Sequence, residues 1–226
     1  MESKTISEQL FERFCRDNGI LFKRLDVSNE SGIKSPDYEI FTPSGAMIVE
    51  VKQLDPNEDD KRFYNQLLSK GITDIRGKEP GTRIRGKINH AIPQLKVAAK
   101  AGKPAIIALC SNIILDAKYI DQYDILIGMY GLEVATIVLP NNRSQKPYVA
   151  HIKFGGKKKV SPQFNTTLSA ILSLYEDGES HEIYAEVYHN IYAANPVSPD
   201  AIQGLKIRHY TLPTRDSKYF VEWVEI

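Results

Sequence analysis

Near the start of the chain, Ile6, Leu10, Phe11 and Phe14 recur at helical spacing and predict an amphipathic helix over Thr5 to Gly19. Ile20 to Val27 reads as a strand and Asn29 to Ser35 as a polar loop. Two segments rich in Ile, Val, Tyr and Phe follow, Ser35 to Phe41 and Ala46 to Lys52, and Thr42-Pro43-Ser44-Gly45 separates them as a hairpin turn would. Beyond an acidic turn, Asp55 to Asp60, a short helix is expected over Lys61 to Lys70 and a basic, glycine-containing loop over Gly71 to Gly86. Ile88, Ala91, Ile92, Leu95 and Ala98/Ala99 predict a long helix from about Arg85 to Ala101, in which Pro93 implies a kink or a later start. Lys103 to Cys110 is a short continuous apolar run, the pattern of a strand buried on both faces.

The second half reads as a helix over Tyr119 to Tyr130, strands over Leu132 to Leu139 and Pro147 to Phe154, and a hairpin of Leu168 to Tyr175 with Glu182 to His189 around Glu176-Asp177-Gly178-Glu179-Ser180. Tyr184, Tyr188 and Tyr192 stand at i, i+4 and i+8, so a helical reading of that stretch stands beside the strand reading. A closing strand is expected within Tyr219 to Val224. At 226 residues the chain accommodates one large domain, or a core over 1–115 with a β-rich extension over 116–226.

Chemistry concentrates in the first hairpin. If Thr42 pairs with Gly45, counting outward brings Asp37 opposite Glu50, although Pro43 favours a turn type that permits a one-residue slip. Opposed carboxylates repel across a ladder, and a hard divalent cation is the usual remedy because it binds carboxylate oxygens. Strand alternation puts Glu50 and Lys52 on one face and Met47, Val49 and Val51 on the other, so an apolar core side and an open charged side are expected. The bland alternative is a solvated edge hairpin kept soluble by its charges.

Pro36-Asp37 followed by Glu50-Val51-Lys52 across one hairpin resembles the PD-(D/E)xK nuclease superfamily, and the order helix, strand, loop, Pro-Asp strand, Glu-x-Lys strand over roughly Met1 to Ser111 is similar to that of the family. The resemblance implies an α/β, restriction-endonuclease-like fold with a mixed central sheet flanked by helices, extended here by further strands in the C-terminal half. It implies Mg²⁺- or Mn²⁺-dependent phosphodiester hydrolysis, with Asp37, Glu50 and the Val51 carbonyl as ligands and Lys52 acting on the attacking water. A glutamate on the preceding helix and a polar residue on the crossing helix complete the family pattern. Those roles fall to Glu8 rather than Glu12, and to Gln94. A first-turn glutamate favoured by the helix dipole is the competing reading of Glu8.

The net charge of +1 hides a partition: +12 over residues 61–170 between flanks of −6 and −5. A local basic excess is the footprint of a phosphate-backbone binder, and Arg76, Lys78, Arg83, Arg85 and Lys87 are the candidate contacts, with Lys157-Lys158-Lys159 as a second patch. No sequence-reading module is present. DNA is the expected partner and a homodimer a further expectation. Cys15 and Cys110, both in apolar segments, read as buried free thiols of a cytoplasmic protein, and their number excludes a cysteine-ligated zinc. The five histidines show no metal-site spacing and read as structural. The chain start lacks a signal peptide pattern. The competing function is a catalytically inactive nucleic-acid-binding or protein-interaction module of a defence or phage system on the same fold.

Overall fold

The protein's structure, a computed structural model, describes residues 4–25, 35–71, 79–98, 102–112, 120–142, 144–213 and 221–226. Thr5 caps the first helix, α1 (Ile6–Asp17): its hydroxyl accepts the Glu8 N–H while the Glu8 carboxylate accepts the Thr5 N–H, a reciprocal capping box. The apolar stripe Leu10, Phe11, Phe14 then faces the sheet, and each such fully buried side chain contributes roughly 1.5–3 kcal/mol. Strands β1 (Leu21–Arg24), β2 (Tyr38–Thr42) and β3 (Gly45–Leu54) form an antiparallel meander. Thr42 pairs with Gly45 without slip, and Gly45 supplies the positive φ of +123° that the turn requires.

An acidic segment that reads as a turn is in fact the start of α2 (Glu58–Lys70), capped by Asn57 with Asp60 in a second capping box. None of its residues is buried. Helix α3 (Thr82–Ala98) begins inside the stretch expected to be loop and runs through Pro93. Strand β4 (Ala105–Ser111) lies parallel to β3, and every one of its residues is buried, which is why its sequence does not alternate. Helix α4 (Gln122–Tyr130) is followed by a separate antiparallel pair, β5 (Glu133–Val138) and β6 (Tyr148–Phe154).

The remaining strands, β7 (Leu168–Glu176), β8 (Ile183–His189), β9 (Ile207–Thr211) and β10 (Val224–Glu225), continue the main sheet. Its order is β1-β2-β3-β4-β7-β8-β9-β10, eight strands of mixed direction. Because β4 pairs with β7, the expected division at residue 115 does not interrupt the sheet. Tyr184 and Tyr188 lie on a strand, so the helical reading there falls; Tyr219 and Phe220 of the expected closing strand lie outside the described residues, and the described strand there is Val224–Glu225.

The chain is thus α/β, a large mixed sheet flanked by helices. One apolar layer packs α1 on Met47, Val49, Val51 and the matching faces of β4, β7 and β8. The other packs α3 and α4 on Ile48, Leu54, Ile107 and Leu109. Gly81, at φ +70°, and Gly128 let these two helices approach: a Cβ on Gly81 would stand 2.4 Å from the Gly128 nitrogen. Cys15 and Cys110 are buried free thiols whose pKa burial pushes up to about 12. No described helix is long and apolar enough to cross a membrane.

Candidate active site

Strand β3 is paired on both edges, by β2 and β4, and covered on both faces, by α1 on one side and α3 on the other. Glu50 lies on the α3 side with Ile48 and Leu54, and its side chain is only 1 % exposed. The open charged face expected from alternation is therefore closed over Glu50 and only partly open at Lys52, which is 20 % exposed. Asp37 stands one step beyond the last β2–β3 pair, Tyr38 with Val49, and so comes level with Glu50. Its backbone carbonyl accepts the Leu25 N–H at 2.9 Å, and its side chain turns to β3, where Oδ2 accepts the Val51 N–H at 2.8 Å.

The Lys52 ammonium donates to Glu50 Oε1 and, at 3.4 Å, to Gln94 Oε1. Gln94 in turn donates to the Ser35 carbonyl at 3.3 Å, tying α3 to the segment that leads into Asp37. The other Glu50 oxygen, Oε2, is buried and has no hydrogen-bond partner. Burial pushes the Glu50 carboxyl up to about 7, with Asp37 adding to the rise and Lys52 opposing it. Burial also raises Asp37, against the lowering effect of the Val51 N–H and Lys52. Two desolvated carboxylates at close range, with one buried lone-pair position unmet, hold either a shared proton or a cation.

Asp37, Glu50, Lys52 and Gln94 are thus brought together, from the residue that precedes β2, from β3 and from α3. Glu8 is not brought into the pair. Oε1 takes the Arg24 guanidinium at 2.8 Å and Oε2 the Thr5 N–H at 2.7 Å, so both oxygens serve the helix cap and β1, and Glu8 acts on Asp37 only through its charge. Among the described residues no group of three or more His, Cys, Asp or Glu side chains converges as a metal cluster. The donors that fit a hard divalent ion are the Asp37 and Glu50 carboxylates, Glu50 Oε2 above all.

The expected phosphate contacts divide. Arg76 and Lys78 lie outside the described residues. Arg85 belongs to the first turns of α3 and is 8 % exposed, bonded to Glu79 Oε1 (2.9 Å), Thr82 Oγ1 (2.7 Å) and the Pro80 carbonyl (3.2 Å). These bonds brace the helix start. Arg83 is paired with Asp60 at 2.9 Å and reaches the Asp55 carbonyl. Lys87 is half-buried near Lys52, Arg83 and Asp55, and burial followed by the two cations lowers its pKa against the pull of Asp55. Lys157 is committed to Glu79 at 2.6 Å.

The sequence reading missed Arg24, whose pairing opposite Tyr38 sets it beside the Asp37 end of β2. It also missed a buried polar link in which the Tyr38 hydroxyl donates to Glu12 Oε1 at 2.9 Å. The histidines lack metal-site spacing, yet two form a buried pair, His189 Nε2 to His209 Nδ1 at 2.9 Å, with His209 Nε2 on the Ile202 carbonyl at 2.8 Å.

No family model and no curated protein matches this chain. Among solved structures, the chain is similar to Pyrococcus furiosus SfsA in complex with Ca²⁺, at a TM-score of 0.28 and 17 % identity over 79 % of this chain. The overlap spans 58 % of that chain, and so loose a superposition defines no shared fold.

Proposed function

We propose that the chain is a divalent-metal-dependent nuclease of the PD-(D/E)xK kind, with a restriction-endonuclease-like core and DNA as its substrate. The observation that carries this reading is the pairing of half-buried Asp37 with fully buried Glu50, one Glu50 oxygen on Lys52 and the other, Oε2, buried without a hydrogen-bond donor. A structural hairpin has no use for two opposed, desolvated carboxylates, whereas a cation site does.

Asp37, Glu50 and the Val51 carbonyl would hold Mg²⁺ or Mn²⁺, and the ion would supply Lewis-acid activation of phosphate and water. Lys52, held between Glu50 and Gln94, directs its ammonium to the attacking water and to the charge that develops on the phosphoryl oxygens. Gln94 is a positioning residue: it fixes Lys52 and, through Ser35, the approach of the segment bearing Asp37. Helix α3 covers the pair and keeps bulk water from Glu50, which strengthens every electrostatic contact there. Lys87, beside Lys52, supplies phosphate attraction at the entrance.

The test is incubation with linear, supercoiled and single-stranded DNA and with RNA, in Mg²⁺, Mn²⁺ or EDTA. Cutting of DNA that EDTA abolishes is expected. No cutting of any substrate, together with no Mn²⁺ binding by calorimetry, rules the reading out and leaves a binding module.

A further inference from the structure

Between the end of α4, the β5–β6 hairpin and the segments that follow β8 and β9 lies a cavity of about 290 Å³, away from the carboxylate pair. Among the described residues three rings line it, Tyr130, Phe154 and Tyr192, and the charged lining side chains are two lysines, Lys153 and Lys158, with Ser161 beside them. Tyr130 is the fixed wall. It is fully buried, its hydroxyl donates to the His189 carbonyl at 3.3 Å and accepts the Ile191 N–H at 3.2 Å. Phe154 stacks on it at 5.2 Å and 26°, and Tyr192 meets it edge-on at 6.0 Å. Phe154 and Tyr192 are themselves only partly buried, which leaves ring surface for a guest.

Ring walls with cations at the rim fit a planar aromatic guest carrying negative charge alongside. The volume sits at the lower end of small-ligand pockets, right for one base and too small for a duplex. Glu133, opposite Phe154 in the hairpin, accepts the Val221 N–H at 2.7 Å beside the cavity wall, so one of its carboxylate oxygens is engaged by the backbone. The lysine loop is tied to the helix that covers the carboxylate pair: Lys157 bonds Glu79, and Glu79 bonds Arg85 in the first turns of α3.

We infer that this cavity receives a single unstacked base of a nucleic-acid strand, with Phe154 and Tyr192 stacking on the base and Lys153 and Lys158 on the adjacent phosphates. The inference deepens the nuclease reading and rests on its nucleic-acid partner. It assigns Lys158 of the second basic patch, together with Lys153, to strand capture rather than to the carboxylate site.

The test is done in EDTA, so that it does not depend on cleavage. Trp223, the only tryptophan, stands 6.1 Å from the Tyr130 ring and reports on the cavity wall by its fluorescence. A short oligothymidylate and an abasic strand with the same number of phosphates are titrated and followed also by anisotropy. The oligothymidylate should bind roughly 5- to 150-fold more tightly than the abasic strand, the range of one base–aromatic stack. Tyr192→Ala and the space-filling Phe154→Leu should erase that preference. The double variant Lys153→Gln/Lys158→Gln should weaken both strands and lower the salt slope by roughly 1 to 1.5. Equal binding of the two strands by folded wild type, or competition by dTMP as strong as by the oligomer, overturns the inference. Mn²⁺-dependent duplex cutting is scored in parallel: cutting without base preference sinks the cavity assignment alone, and base preference without cutting sinks the nuclease alone.

Discussion

Replacing Glu50 by Gln makes the electrostatic cost of the carboxylate pair measurable. In the folded chain the Glu50 carboxyl is pushed up from 4.5 to about 7, chiefly by burial and then by Asp37. That gap corresponds to about 3 kcal/mol. The folded state holds the proton more tightly than the unfolded chain, so stability contributed below pH 4.5 is lost as pH rises through about 7. Gln carries no charge to desolvate, and the opposing pull of Lys52 is already contained in the net rise; burying an imperfectly hydrogen-bonded amide in its place offsets about 1–2 kcal/mol of the gain. Urea unfolding in EDTA should therefore show Glu50→Gln as stable as or more stable than wild type at about pH 8, by up to about 2 kcal/mol, and less favoured at about pH 5. The difference between the two proteins is the quantity to follow, because other titrating groups cancel in it. Saturating Mn²⁺ should then stabilise wild type by about 3 kcal/mol at a hundredfold excess over Kd and leave Glu50→Gln unmoved. A difference that stays flat between about pH 5 and about pH 8, or equal stabilisation of both proteins by Mn²⁺, refutes the reasoning.

The buried His189–His209 pair acts in the opposite direction: burial holds His189 down at about 4, against 6.5 unfolded, so stability of on the order of 3 kcal/mol present above pH 6.5 is lost as pH falls toward 4. His189→Gln should flatten that acid limb in urea melts, and an unchanged limb counts against the neutral pair. Gly81→Ala forces a Cβ into the Gly128 backbone at a positive φ and should cost more than about 2 kcal/mol in thermal unfolding, whereas the exposed Gly178→Ala, with open space around it, should cost far less. Lys87→Ala should weaken DNA binding and lower its salt slope by about 1 with little change in unfolding, while Arg85→Ala should lower Tm and leave the slope of the folded fraction alone. The reverse assignment from anisotropy and calorimetry would exchange the roles given to these two residues.

Much of the fold is written in local patterns. The Ile6–Phe14 stripe, the Pro-Asp and Glu-x-Lys strands and the apolar run of β4 each carry a periodicity that burial enforces, so α1, the hairpin register and the buried strand are legible from residues alone. Element ends are less so. Helix α3 starts at Thr82 because Gly81 and Arg85 are anchored by Asp124 on α4 and by Glu79, partners distant in sequence or hidden in an apparent loop. The same non-local cause explains the site. Asp37 opposite Glu50 follows from counting along a ladder, but the closed lid over Glu50 depends on α3 packing across the sheet, and the commitment of Glu8 to Arg24 depends on where β1 pairs. Arg83 and Arg85, chosen for their charge, pair with Asp60 and Glu79 of the chain itself, which composition does not reveal.

The most direct measurement is a plasmid-nicking time course in Mn²⁺ with wild type, Asp37→Asn and Lys52→Gln, each shown to be folded by its unfolding transition. Nicking by wild type, with a loss of at least about 100-fold in both variants, on the scale of one acid–base group, is the expected result. Nicking that survives in Asp37→Asn, or folded wild type that never nicks, contradicts the assignment of the Asp37–Glu50–Lys52 cluster as a catalytic centre.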